Sequence, residues 1–200
     1  VKSEDIAKYY PRAHPVLDLG PCEYSADYWK KQNASYTTLP FDENVIWNKI
    51  WQFSPPTRFG TKYKDTIVNA KNIHLYTYAN AINIGATENV HAINEITVKN
   101  YTGKQHTVKA RYFILACCAI QNSRLLLASN QQAQAGIGND NDLVGRYFME
   151  HPELKTGELW LTHSDELNLY RLGQKVRAEL AVSAEKQREL KILNGTVSLN

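Results

Sequence analysis

Two adjacent cysteines, Cys117 and Cys118, lie in the stretch where residue type and position together suggest chemistry, ARYFILACCAIQNSRLLLASN from Ala110 to Asn130. Neighbouring cysteines are poor disulfide partners. With Cys22, the third of the chain, they make no metal-ligand spacing, so reduced, buried thiols are expected. The main chain around them offers more. Tyr112 to Leu115 is a β-branched and aromatic run that predicts a strand buried on both faces. Cys117, Cys118 and Ala119 predict a tight turn, and Ile120 to Ser129 a helix with Ile120, Leu126 and Leu127 on one side. In open α/β sheets, ligands sit beyond the carboxyl ends of such strands, where a helix start offers free N–H groups and partial positive charge. An ordinary βα unit without a ligand fits the same residues.

Other chemistry-bearing residues are dispersed. The histidines, His14, His74, His91, His106, His151 and His163, follow no zinc-binding pattern. Glu150 and His151 form a candidate acid–base pair, although a histidine beside Pro152 at a strand start also serves structure. Gly136 and Gly138 supply half of a dinucleotide fingerprint, but position 141 is Asn and no predicted strand precedes them. A phosphate-binding loop, a G-x-S-x-G elbow and an H-E-x-x-H pair are all absent from the sequence.

Charge is nearly balanced, 23 Lys plus Arg against 20 Asp plus Glu, and the basic residues are scattered, which argues against nucleic acid as a partner. No apolar run approaches bilayer length and no charged-then-apolar leader opens the sequence. The chain therefore reads as soluble; the compartment stays open, with the cytoplasm favoured. It starts at Val1 and stops at Asn200 just after a strand-like run, which predicts a processed chain or a piece of a longer one.

The elements that must position these residues follow from patterning. SEDIAKYY predicts a helix start, with Pro11 opening a second turn. Ser25 predicts a cap for a helix over Ala26 to Gln32 that turns Tyr28 and Trp29 inward. Even spacing of Val45, Trp47, Trp51 and Phe53 predicts a strand from Asn44 to Phe53, ended by Pro55 and Pro56. A helix is expected at about 61–70, followed by a meander of strands at Ile73–Tyr76, Ala81–Ile84 and Val90–Val98 and a return strand from His106. Beyond a polar loop at Gly136 to Asp142, the alternating Leu154 to Thr162 predicts a long strand, and Ala184 to Leu190 a charged helix.

The series YYPRAH, LGPCEY, DYW, WQFSPPTRFG, AKNIHLYTYANAINI, ARYFILACCAIQNSRLLLASN and GIGNDNDLVGRYFMEHP, in that order over residues 5–165, resembles the middle of the glucose–methanol–choline oxidoreductases. These are flavoenzymes that oxidise alcohols and sugars. The resemblance implies a mixed α/β (α+β) fold in which 59–144 belongs to an FAD-binding domain, while 1–58 and 145–200 belong to a β-sheet substrate-binding domain. It implies FAD as cofactor and a small alcohol or sugar as substrate, with the pyrophosphate-binding loop and the proton-accepting histidine both outside this sequence. On the same footing Ala81 aligns with the strand contacting the adenine, and the turn Ala116 to Ala119 with the one near the ADP portion. Cofactor contacts are thus expected at Ala81, Ala116, Cys117 and Cys118, and Arg58 and His151 are candidates for the substrate side. The electron acceptor is open. Family members usually carry glycine at one or both of the positions held by Cys118 and Ala119, and an acidic residue where Gln121 stands. A Cβ at Cys118 either is tolerated by the site or forces a different turn. The alternative reading is a non-catalytic module that keeps the fold without the cofactor.

Overall fold

The computed structural model describes residues 2–161 and 167–199, which divide into two compact units, Val1–Thr66 with Gly157–Asn200, and Ile67–Thr156. Both are built around small antiparallel three-stranded sheets, so the fold is mixed α and β. No helix among the described residues is long and apolar enough to cross a membrane.

In the first unit the strand β1 (Ile46–Gln52) pairs with β5 (Val176–Val182) from Ile46↔Val182 to Gln52↔Val176, and β6 (Thr196–Val197) adds to the far edge of β5. Strand alternation sorts the side chains onto two faces. Asn48, Ile50, Val176 and Ala178 turn to one face, where Ile50 and the two β5 residues pack with Leu39, Leu169 and Tyr170 in the core. Trp29, from the helix α3 (Ala26–Gln32), packs at its margin. Ser25 caps α3 as expected, its Oγ accepting from the Tyr28 N–H. The polar atoms in this core are satisfied together. The Tyr170 hydroxyl donates to Asn48 Oδ1 and accepts from the Leu39 N–H at 2.8 Å, while Asn48 Nδ2 donates to the Leu39 carbonyl. Burial pushes the Tyr170 phenol above its ordinary pKa. On the opposite face Lys49 Nζ lies 5.7 Å from the Trp47 ring and 5.2 Å from the Trp51 ring. There the buried Glu179 pairs with Arg177 and accepts from the Thr196 and Ser198 hydroxyls, which ties down the short β6.

The N-terminal helices come out as expected, α1 at Ser3–Ala7 and α2 at Tyr10–Val16, with Pro11 in the first turn of α2. The helix expected at 61–70 is instead two short ones, α4 (Phe59–Lys62) and α5 (Lys64–Val68). They are separated at Tyr63, whose backbone leaves the helical well (φ −104°, ψ 5°) while its hydroxyl donates to the Val16 carbonyl.

The second unit holds the meander β2 (Asn80–Ala86), β3 (Ile93–Lys99) and β4 (Gln105–Val108), with the helix α6 (Ala119–Ala128) against it. Ile84, Ala86, Leu125 and Ile137 form its core. The charged helix α7 (Ala184–Leu190), in the first unit, is capped by Ser183.

Three predicted strands do not form. Tyr112–Leu115 is not a strand buried on both faces: it has no ladder partner, and Tyr112 and Ile114 are 75% and 88% exposed. Ile73–Tyr76 and the described part of Leu154–Thr162 likewise stay outside both sheets, with Tyr76 and Trp160 exposed; Thr162 and His163 lie outside the described residues. An apolar run becomes a strand only where a neighbour supplies its hydrogen bonds. Neither sheet does so for these three runs.

Candidate functional site

The turn Ala116 to Ala119 is built from below by α6. Leu125 anchors the helix in the core of its unit, and the buried Ser129 locks it to β2: the Ser129 hydroxyl accepts from the Ile84 N–H at 2.8 Å and donates to the Leu125 carbonyl at 2.7 Å. The loop after the helix closes on its last turn, where the Ile137 N–H donates to the Leu126 carbonyl at 3.0 Å. Gly136 makes that approach possible. A Cβ there would lie 2.8 Å from Leu127 Cα and 2.9 Å from the Leu126 carbonyl oxygen, at φ +96°.

At the other end, Asn122 shapes the turn. Its Oδ1 accepts from the Cys117 N–H at 3.0 Å, its Nδ2 donates to the Leu115 carbonyl at 3.1 Å, and its own N–H donates to the Cys118 carbonyl at 2.9 Å. One side chain thereby satisfies two main-chain groups of the incoming segment and aims it at the helix start. Cys118 is the N-cap residue and has φ 66°, ψ 164°. That region of backbone space belongs almost entirely to glycine. The side chain of Cys118 makes no capping hydrogen bond, and the first turn of α6 carries no acidic residue. The N–H groups at the helix start, unsatisfied within the helix by construction, therefore keep their partial positive charge.

Cys22, Cys117 and Cys118 are all exposed, a correction to the expectation of buried thiols. For the adjacent pair the reason lies in the failed strand: without a ladder over Tyr112–Leu115, nothing in that stretch covers the turn. Ala116 is exposed with them. Ala81 is in the same unit at the exposed start of β2, paired with Val98 and next to a bulge at Ile82. Arg58, the N-cap residue of α4, belongs to the first unit, and His151 to the second. His151 is exposed and donates its N–H to Glu150 Oε1 at 2.9 Å. The arrangement around α6 offers main-chain donors and small side chains, which is equipment for holding a ligand. Asn122 and Ser129 were not singled out from the sequence. For Ser129 the available signal was a small polar residue directly after the apolar run Leu125–Ala128; for Asn122, one of four successive polar residues, the sequence carried none.

Segments of the chain are similar to curated oxidoreductases. Over 67 residues it is 37% identical to the fructose dehydrogenase large subunit of Gluconobacter japonicus, a match covering 33% of this chain and 12% of that protein. Over 84 residues it is 34% identical to the 2-methyl-1,2-propanediol dehydrogenase of Mycolicibacterium austroafricanum, covering 36% and 15%. Over 57 residues it is 44% identical to the paromamine 6'-oxidase of Streptomyces fradiae, covering 28% and 10%. No family profile and no solved structure matches the chain. The matches span 10 to 15% of these relatives' lengths, and by name all three are dehydrogenases or oxidases.

Proposed function

We propose that this chain is the central part of an FAD-dependent oxidoreductase that oxidises the CH–OH group of an alcohol or sugar. The observation that carries the reading is the turn at Cys118, which keeps a glycine backbone conformation ahead of a helix start with no side-chain cap, joined to partial similarity to dehydrogenases and oxidases. Such a turn suits the phosphate-bearing end of a dinucleotide, because N–H groups at the helix start face the negative charge. FAD, when bound, supplies the hydride acceptor.

The roles assigned to this chain are those of binding and orientation. The backbone of Ala116, Cys117 and Cys118 would hold the ADP portion of FAD, and Ala81 would contact the adenine. Asn122 acts indirectly, by holding the turn open through its bonds to Cys117 and Leu115. Arg58 and His151 belong to the substrate side. No residue here is assigned the proton acceptor, so the chain alone is inactive as an oxidase. Fructose, a propanediol and paromamine in the relatives' names support a small hydroxylated molecule as the substrate.

The Cβ of Cys118 favours a second reading, a non-catalytic module that keeps the fold without the cofactor. Visible absorbance separates the two. The full-length parent, purified without added flavin, should show flavin bands that the 200-residue chain lacks, and an alcohol or sugar should bleach them. A parent that stays colourless after incubation with FAD overturns the oxidoreductase reading.

A further inference from the structure

In the first unit a shallow, open cleft of about 270 Å³ is lined by Asp18, Pro56, Thr57, Arg58, Thr61 and Lys62. Its charges are not equally available. Lys62 has all three ammonium protons engaged, with Asp18 Oδ1 and with the carbonyls of Pro15 and Val16, each at 3.2 Å. Asp18 is satisfied in turn, its Oδ2 accepting from the Thr57 hydroxyl at 2.7 Å. These two hydrogen bonds, that from Lys62 the stronger influence, hold the Asp18 carboxyl below its ordinary pKa. The Asp18–Lys62 pair is thus internally neutral and ties the chain just beyond α2 to the end of α4.

Arg58 is different. It is exposed, and its guanidinium has no hydrogen-bond or ion-pair partner among the described residues. Thr61, which lines the same cleft, presents a hydroxyl that is equally free. The cleft therefore carries one uncompensated positive charge on a planar fork of N–H donors, with a hydroxyl beside it. Pro56 forms part of the wall, and the Asp18–Lys62–Thr57 brace fixes its shape.

We propose that this cleft binds a small oxyanion, a carboxylate or a phosphate, through bidentate contact with Arg58 and a hydrogen bond from the Thr61 hydroxyl. A guanidinium matches both groups in geometry and charge. The inference uses only the first unit and does not depend on flavin binding.

The test is an NMR titration of the full chain with inorganic phosphate and, separately, with acetate, ionic strength being held constant with chloride. Saturable shifts are expected at the Arg58 Nε–H and the amides of Thr57 to Lys62, and the anion that saturates first identifies the preferred group. Arg58→Gln should weaken binding by about tenfold or more, the loss of a charge-assisted contact, with the rest of the spectrum unchanged because the Arg58 side chain supports no other residue. Arg58→Lys should restore only part of it, keeping the charge without the fork. Shifts that rise linearly, that appear equally at Lys30 and Lys31, or that survive Arg58→Gln would overturn the proposal.

Discussion

Position 118 carries a β-carbon through backbone angles of φ 66° and ψ 164°, a conformation that costs roughly 1–3 kcal/mol for a residue with a side chain. Glycine relieves that strain but adds about 0.5–1 kcal/mol of unfolded-state entropy. Cys118→Gly should therefore stabilise the chain by about 1 kcal/mol, visible as a rise of a few degrees in Tm by circular dichroism, while Cys118→Ala, which keeps the strain, should not. Under the proposed function, Cys118→Gly in the full-length parent should retain or tighten flavin binding and Cys118→Phe weaken it; equal retention by both would remove Cys118 from the site. Tyr170 presents the opposite case, a side chain whose polar atom is fully used. Tyr170→Phe leaves the Leu39 N–H without its partner in the core and should cost about 1–3 kcal/mol by urea unfolding. The phenol also predicts a pH dependence. Burial raises its folded pKa, so above about pH 10 the unfolded chain releases a proton that the native state keeps. Stability from this group is complete below that pH and is lost as pH rises further, and Tyr170→Phe should flatten the alkaline limb of the stability profile.

Elements with their own punctuation were legible in the sequence. Ser25 and the run that follows announced α3, Pro11 marked the start of α2, and the apolar positions of Ile120 to Ser129 announced α6. The missed elements share a physical cause. Tyr112–Leu115, Ile73–Tyr76 and Leu154–Thr162 have strand-like composition, yet a strand is completed by a partner distant in sequence, and composition does not say whether one is present. The site divided along the same line. The unusual character of Cys118 was visible against the pattern of the family that the sequence resembles, whereas the bonds of Asn122 and Ser129 depend on segments brought together only by folding. The loop packed against α6 gives an element-scale prediction. Gly136→Ala forces a Cβ to 2.8 Å from the helix backbone and should cost on the order of 2–3 kcal/mol. Gly138→Ala, at φ +70° with nothing within 4 Å, should cost only about 1 kcal/mol. Equal losses in urea unfolding would show that contact with Leu126 and Leu127 is not what requires glycine at 136.

The two units have separate cores, one around Ile50, Leu169 and Tyr170, the other around Ile84, Leu125 and Ile137. Destabilisation should stay within the unit that carries the change. In hydrogen exchange, Tyr170→Phe should speed the amides of β1 and β5 and leave β2 and β3 near their original rates, and Gly136→Ala should do the reverse. Loss of protection across both sheets from either substitution would mean that the chain unfolds as one cooperative body.

The division into units also decides what light can report about this protein. All four tryptophans, Trp29, Trp47, Trp51 and Trp160, fall in the unit formed by Val1–Thr66 and Gly157–Asn200. Two of them flank the ammonium of Lys49. Indole fluorescence is therefore a label built into one half of the chain. An emission-monitored melt would follow the β1–β5 sheet and pass over the opening of the turn at Cys118, which calls for a reporter placed in the second unit.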